Sequence, residues 1–524
     1  MSAEAITQAH VQRVIDDNLD ALRRPGVLSV RPGFRMRDHW LTHERAVVVT
    51  VAPGTARTAA GLPAELHGVP LDVREASAAK VARLGAGEDA VGLAPDQGGV
   101  PVFADERVFV TAAAHAQGSE HPEAAKKPAK PQLEYSAPAG ATLTPVTGTV
   151  QLELSASPDS GWSVLKTFLQ GTKESLTIGL YDFTSAHILQ EFETIAAGKK
   201  VTLVLDHPAK NPTADQTDDQ TVADLESTLG ASFDHAWALE RSDPHATAWI
   251  FPSAYHIKVA VRDSDTVWLS SGNWNNSNQP DIDPVNNPDD RTEARSRDRD
   301  WHVVIHDAAL AKQFEAYLLH DHEVAAQHQV SEAAAFETEL LMQPAVETPP
   351  FATFAASESV DEHLTITPLL TPDPGVYSGA MLELIQGATT SLHLQFQYIE
   401  PPKTPTDASA PFSELIAAIV ARQNAGVDVK VIMSEYETSG YLEQLQELGL
   451  DVVNNVKIQN NVHNKGVVVD GVRTLVSSQN WSTAGALQNR DAGVIIDDEH
   501  VAQYFGAIFL HDWDHLAVQK AQND

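Results

Sequence analysis

From about residue 150 onward, apolar runs of strand length alternate with amphipathic stretches of helical period, and the series occurs twice in the same order. "SPDSGWSVLKTFLQGTKESLTIGLYDF" and "TPDPGVYSGAMLELIQGATTSLHLQFQYI" match through Pro158-Asp159 with Pro372-Asp373, Gln170-Gly171 with Gln386-Gly387, and Ser175-Leu176 with Ser391-Leu392. Both predict a helix followed by a buried strand. Each half continues through another helix and strand, "KVTLVLD" or "DVKVIMS", and closes with "RDWHVVIHD" or "RDAGVIIDD" and a helix ending in "YLLHDHE" or "IFLHDWD". This alternation predicts two homologous lobes, each an α/β/α sandwich.

Ahead of the repeat, an amphipathic helix and the two apolar runs of "VLSVRPGFRMRDHWLTHERAVVVTVAP", parted by a polar turn, predict a small α/β unit built on a hairpin. The Ala, Pro and Lys of residues 114–140 lack periodicity and suit an extended linker. The expected division is an N-terminal domain of unassigned role at 1–115, a linker at 116–145, lobe 1 at 146–330, a Pro-rich, acidic linker at 331–360 and lobe 2 at 361–524.

Composition narrows the chemistry. The 524 residues exceed one ordinary core, and the absence of Cys excludes disulfides, thiolate nucleophiles and Cys zinc sites. A formal net charge of -35 repels polyanions at long range, so any bound phosphate needs local cations. The N-terminus does not read as a signal peptide, and no apolar stretch approaches the roughly 20 residues that span a bilayer. The expectation is a soluble, cytoplasmic or similarly located protein.

Two hexapeptides, "SSGNWN" at 270–275 and "SSQNWS" at 477–482, each follow such a strand. Upstream stand "YHIKVAVRDSDTVWL" and "VHNKGVVVDGVRTLV". The shared pattern is His256, Lys258, Asp263, Ser270, Ser271 and Asn273 in lobe 1, and His463, Lys465, Asp470, Ser477, Ser478 and Asn480 in lobe 2. On a strand, residues two apart share a face, so each His projects beside its Lys. A lone His-x-Lys is usually an exposed strand face. A single five-residue match at fixed spacing arises by chance in roughly one chain in several thousand, and two at corresponding places in a repeat are not coincidence.

These residues resemble the phospholipase D superfamily, whose signature is His-x-Lys-x4-Asp-x6-Gly-Ser-x-Asn, over roughly residues 150–520. The departure is Ser270 and Ser477 where the pattern often has Gly. The resemblance implies a phosphodiesterase in which one His attacks phosphorus to form a phosphohistidine and the other protonates the leaving oxygen, then activates water or an alcohol. Imidazole suits both tasks near neutral pH. Lys258 and Lys465 are expected to hold the phosphate oxygens, with Ser271, Asn273, Ser478 and Asn480 adding hydrogen bonds. No metal or other cofactor is called for. The family also places an acidic residue later in each repeat to orient the His, and Asp300 and Asp491 are the candidates. Spacing puts Asp263 and Asp470 at the far end of the strand, where a structural bond and a catalytic role are both open. The sequence does not identify the nucleophile; analogy with members in which the N-terminal copy attacks favours His256.

The expected substrate is a phospholipid, handled by a site complete within one chain. The alternatives are a nuclease of the same family acting on DNA or RNA, which the acidic balance opposes, and a non-catalytic phosphate-binding scaffold, which intact His and Lys in both repeats oppose. The N-terminal domain is a candidate for binding a protein partner. His320, His322 and His328 have metal-like spacing, but the matching helix of lobe 2 has Trp513 where lobe 1 has His322, so an inherited helix end is the better account. The long polar segment between Asn273 and Asp300 reads as a loop, either a rim of the site or a plain insertion. Trp274 and Trp481 are candidates for stacking on substrate or for packing behind the site.

Overall fold

A computed structural model describes residues 6–76, 135–327 and 353–521, with gaps at 38–39, 53, 56, 58–59, 207–208, 211–213, 244–245, 250, 252–253, 374, 403–405 and 435–437. It also describes strands at 107–108 and 336–337.

The N-terminal unit is a small α/β layer pair. Helix Gln8–Asp17, capped by the Thr7 side chain, packs Val11, Val14 and Ile15 on a sheet of β1 (Val27–Arg37), β2 (Trp40–Val51), β3 (Glu65–Leu66), β4 (Val69–Glu75) and β5 (Arg107–Val108), in the order β3-β4-β2-β1-β5. The expected hairpin is β1 with β2, running from Val27 opposite Val51 to Arg37 opposite Trp40. This unit is docked on lobe 2: Arg31 and Arg74 both reach the buried Glu443, and the Leu41 amide donates to the Lys520 carbonyl at 2.8 Å.

The repeat builds one sheet of fourteen strands. Lobe 1 contributes β6 (Val146–Ser157), β7 (Ser175–Leu180), β8 (Lys200–Leu205), β10 (Phe233–Trp237), β13 (Lys258–Arg262), β14 (Thr266–Ser270) and β15 (Asp300–His306). Lobe 2 contributes β17 (Glu358–Thr371), β18 (Ser391–Phe396), β19 (Asp428–Ser434), β20 (Val456–Gln459), β21 (Lys465–Val469), β22 (Arg473–Ser477) and β23 (Asp491–Asp497). Short pairs, β9 (Ala209–Lys210) with β16 (Phe336–Glu337) and β11 (Leu239–Asp243) with β12 (Ala246–Trp249), lie outside it. The order is β10-β8-β7-β13-β14-β15-β6-β17-β23-β22-β21-β18-β19-β20, so each half is the other read backwards from the β6–β17 seam. That seam is antiparallel, from Glu358 opposite Leu154 to Ile366 opposite Val146. β17 therefore starts inside the stretch expected as linker.

Helices cover both faces, which is why the central strands read as continuous apolar runs rather than alternating ones. On one face, helices Ala308–Ala326 and Glu499–His511 share a single core running across both lobes, with Phe314 and Leu318 of the first, and Phe505 and Phe509 of the second. On the other face each lobe has a core of its own, around Phe168, Phe192 and Trp274 in lobe 1 and around Met381, Phe412 and Trp481 in lobe 2. Contact across the seam is close: a Cβ on Gly466 would stand 2.3 Å from the Trp301 ring, so only glycine fits between Lys465 and that indole. No described helix is long and apolar enough to cross a membrane.

Candidate active site

His256 and Lys258 stand at the start of β13, and His463 and Lys465 at the start of β21. All four are buried or nearly so, and the two strands lie on either side of the seam. Their carboxylate partners come from the opposite lobe. His256 Nδ1 lies 2.8 Å from Asp491 Oδ1, and His463 Nδ1 lies 2.9 Å from Asp300 Oδ1. The main chain crosses in the same way. The His256 amide donates to the Arg490 carbonyl at 2.8 Å, and the His463 amide donates to the Arg299 carbonyl at 3.1 Å. Each histidine is thus held through ring and backbone by the first residue of the last strand of the other half and the arginine just before it. Nδ1 of each ring is thereby committed to a carboxylate of the other half, which fixes the orientation of the ring.

The second serine of each hexapeptide, Ser271 or Ser478, supports this crossing. Ser271 Oγ donates to Asp300 Oδ1 at 2.7 Å and accepts from the Trp301 amide; Ser478 Oγ donates to Asp491 Oδ1 at 2.6 Å and accepts from the Ala492 amide. Their hydroxyl protons are committed to the carboxylates. Asn273 and Asn480 differ: both side chains are buried, and their Oδ1 atoms have no hydrogen-bond partner. Rotation of such an amide would present either a donor or an acceptor at the same place.

The lysines are within the same field. Lys465 Nζ lies 3.1 Å from Nε2 and 3.2 Å from Nδ1 of His463. Lys258 Nζ stands 5.3 Å from the centroid of the Tyr181 ring, which in turn meets the His256 ring edge-on at 5.0 Å. Burial, then Lys465, pull the His463 ring down to about 4, against the pull of Asp300. Burial opposes the charge of Asp300, but the His463 ring and Lys465 outweigh it and hold that carboxyl below its usual range. Asp491 goes the other way, pushed up to about 7 by burial that Lys258, Ser478 and Lys465 do not offset.

Asp263 and Asp470 are not brought to this site. They close the turns at the far ends of β13 and β21 in the left-handed region, with φ of 52° and 54°. Asp263 accepts the amides of Lys173, Glu174 and Ser175, and Asp470 accepts those of Thr389, Thr390 and Ser391. Trp274 and Trp481 are wholly buried; the first packs against Phe183, and the second stacks on Phe396 at 4.4 Å. His320 Nε2 lies 3.0 Å from the Ser136 carbonyl and His322 Nε2 lies 3.4 Å from Asp234, while His328 lies outside the described residues. The long loop after Asn273 turns inward at Asn278, which donates to Asp300 Oδ2 at 2.9 Å, and at Asp281, which accepts from the Trp162 indole at 3.0 Å.

Sequence reasoning missed three groups. Arg299 and Arg490, next to the orienting aspartates, are buried between carboxylates. Ser270, taken as a mild departure from Gly, is 2.6 Å from His302 Nδ1 and accepts from the Gly272 amide, so it shapes the loop bearing Ser271. Tyr181 gave no signal beyond its place after a repeated strand.

These residues form one cluster to which both halves of the repeat contribute. The family described as "Cardiolipin synthase, PLD-like domain" matches residues 381–513. That match lies within the second half of the repeat, and the first half has the same strand order and the same motif. Among solved structures, phosphatidylserine synthase from Haemophilus influenzae Rd KW20 is 14% identical with a TM-score of 0.45, covering 71% of this chain and 90% of that one. A phospholipase D family member, Nuc, from Salmonella typhimurium is 19% identical with a TM-score of 0.24, covering 29% of this chain and 97% of that one. NucT from Helicobacter pylori is 17% identical with a TM-score of 0.24, covering 32% and 93%. No curated protein matches the sequence.

Proposed function

We propose that the protein is a phosphodiesterase that uses its two histidines on one phosphodiester, most fittingly of a phospholipid, without a metal. The observation that carries this reading is the pair of crossed His–Asp contacts with a lysine beside each histidine. One histidine Nε2 attacks phosphorus as the bond to the leaving alcohol breaks, and the other histidine gives that oxygen its proton. The second histidine then takes a proton from water or an alcohol, whose oxygen displaces the phosphohistidine nitrogen and restores both rings. Lys258, Lys465, Asn273 and Asn480 hold the non-bridging oxygens, so charge is met by fixed groups of the chain.

His463 suits the attacking role better than His256, the choice that analogy favoured. A ring held down to about 4 is unprotonated at neutral pH, the state that an attacking nitrogen needs, while the carboxyl that faces His256 is pushed up to about 7 by burial. A lipid substrate is favoured by the description of the matching family, cardiolipin synthase, and by the net charge of -35, which opposes nucleic acid. On this reading the division into residues 1–115, 146–330 and 361–524 is also functional, with the two lobes forming one site.

The test is incubation with phosphatidylcholine vesicles and ethanol, with and without EDTA, assaying phosphatidylethanol and phosphatidic acid. Both products are expected with or without chelator, and neither from His463→Ala. Turnover that survives in both His256→Ala and His463→Ala would defeat the two-histidine assignment, and loss in EDTA would defeat metal independence.

A further inference from the structure

Arg299 and Arg490 precede the two orienting aspartates, and each is enclosed by one carboxylate from its own lobe and one from the other. Arg299 Nη1 donates to Asp159 Oδ1 at 2.8 Å, while Nε and Nη2 grip Asp512 of lobe 2 at 2.9 and 3.1 Å. Arg490 Nη1 donates to Asp373 Oδ2 at 3.2 Å, while Nη2 donates to Asp321 of lobe 1 at 2.6 Å. All six side chains are almost fully buried. Nη1 of each arginine also donates to the carbonyl that ends the seam strand of its lobe, Ser157 at 3.0 Å and Thr371 at 3.1 Å. The Pro-Asp, Arg-Asp and His-Asp pairs that the sequence repeats are therefore the parts of two equivalent triads.

The backbone of each arginine lies in the crossing described above. Arg299 N donates to Asn461 O at 2.7 Å and Arg299 O accepts from His463 N; Arg490 N donates to Ala254 O at 2.8 Å and Arg490 O accepts from His256 N. A shift of one guanidinium moves the next residue, Asp300 or Asp491, and the histidine amide together. Buried ion pairs of this kind are poor sources of net stability, because desolvation offsets the attraction, but they fix geometry strongly once formed.

We infer that Arg299 and Arg490 are positioning residues, each setting the register of one histidine–aspartate pair across the two lobes: Arg299, through Asp512, that of His463 with Asp300, and Arg490, through Asp321, that of His256 with Asp491. The activity arm of the test rests on the phosphodiesterase reading; the spectroscopic arm does not. Asp512→Asn keeps the guanidinium and its Asp159 partner, so it carries the test whether or not Arg299→Met folds. It is expected to lower kcat on bis(p-nitrophenyl) phosphate by about tenfold with KM within about twofold, in line with other orienting groups around a reacting histidine. The acidic limb of the pH profile, which reports loss of the proton from the attacking His463, should move to lower pH, since an imidazolium with a misplaced carboxylate gives up its proton more easily. A mere loss of folded enzyme would scale the profile without moving it.

In the proton spectrum, the downfield Nδ1–H resonance of His463, assigned by its absence in His463→Ala, should shift or broaden in Asp512→Asn while that of His256 stays in place. Asp321→Asn should do the reverse. The inference is overturned if both resonances keep their positions in both variants, or if each variant perturbs the two alike. Absence of turnover by the unmutated protein would count against the phosphodiesterase reading alone, leaving the resonances to decide this one.

Discussion

The two half-sites match in the crossed contacts that hold each histidine and differ in what surrounds them. In both, a histidine takes a carboxylate and a main-chain carbonyl from the other lobe, and a serine hydroxyl steadies that carboxylate. Around the first, Tyr181 leans on His256. Around the second, Lys465 leans on His463, and its carboxylate Asp300 receives Asn278, where the matching position of lobe 2 is Gly485. A contact across the seam constrains both copies. A contact inside one lobe is free to diverge, and here it leaves one orienting carboxyl, Asp300, below its usual range and the other, Asp491, pushed up to about 7.

The comparison breaks most visibly if the roles are wrong. His463→Ala and His256→Ala should each cost about 10²–10⁴-fold in kcat with an ordinary alkyl diester. With a p-nitrophenyl ester, whose leaving group needs no proton, His256→Ala should still trap phosphate on His463, seen by mass mapping of acid-quenched enzyme. Phosphate on His256 in His463→Ala would reverse the assignment.

A smaller effect sharpens the crossing itself. Asp300→Asn should lower kcat by about 10–100-fold and pull the His463 titration further below its value of about 4, because the anionic partner that raises it is gone, with His256 unmoved. Asp491→Asn should affect His256 alone. Titration of ring protons by NMR reads both; a shift of the histidine in the same lobe would refute the exchange of partners.

The smallest effect lies at the far ends of the strands. Asp263→Ala and Asp470→Ala should leave kcat within about twofold and cost about 1–2 kcal/mol each in thermal or urea unfolding. Asp470 should cost more, because it also takes the Thr389 and Thr390 hydroxyls. Against a burial cost, backbone amides hold both carboxyls below their ordinary range. A carboxyl depressed in the folded state adds stability above its unfolded value, near 3.9, and that stability fades as pH falls below it. The difference between variant and unmutated protein should therefore shrink in acid.

Much of this was legible because the chain states it twice. Fixed spacing within a repeat singled out His256, Lys258, His463 and Lys465, and the strand alternation gave the layered architecture. The partner exchange was not legible: a repeat shows that Asp300 and Asp491 are equivalent, not which histidine each touches, since contacts 163 and 235 residues apart leave no local period. Arg299, Arg490 and their four carboxylates were present as repeated dipeptides but fell at element ends, where a cap or a turn is the ordinary explanation. Ser271 and Ser478 were matched to the right motif but face the carboxylates, because their amides and hydroxyls bond to Trp301 and Ala492, the second residues of β15 and β23.

The reversed order of strands about the β6–β17 seam has a consequence for inheritance. Were the same site made by two identical chains, any codon change would alter both half-sites at once, and a tyrosine useful beside one histidine would be imposed on the other. With both halves in one reading frame, a change enters a single half-site while its counterpart stays as it was. The fused arrangement lets the surroundings of the two histidines be tuned one at a time.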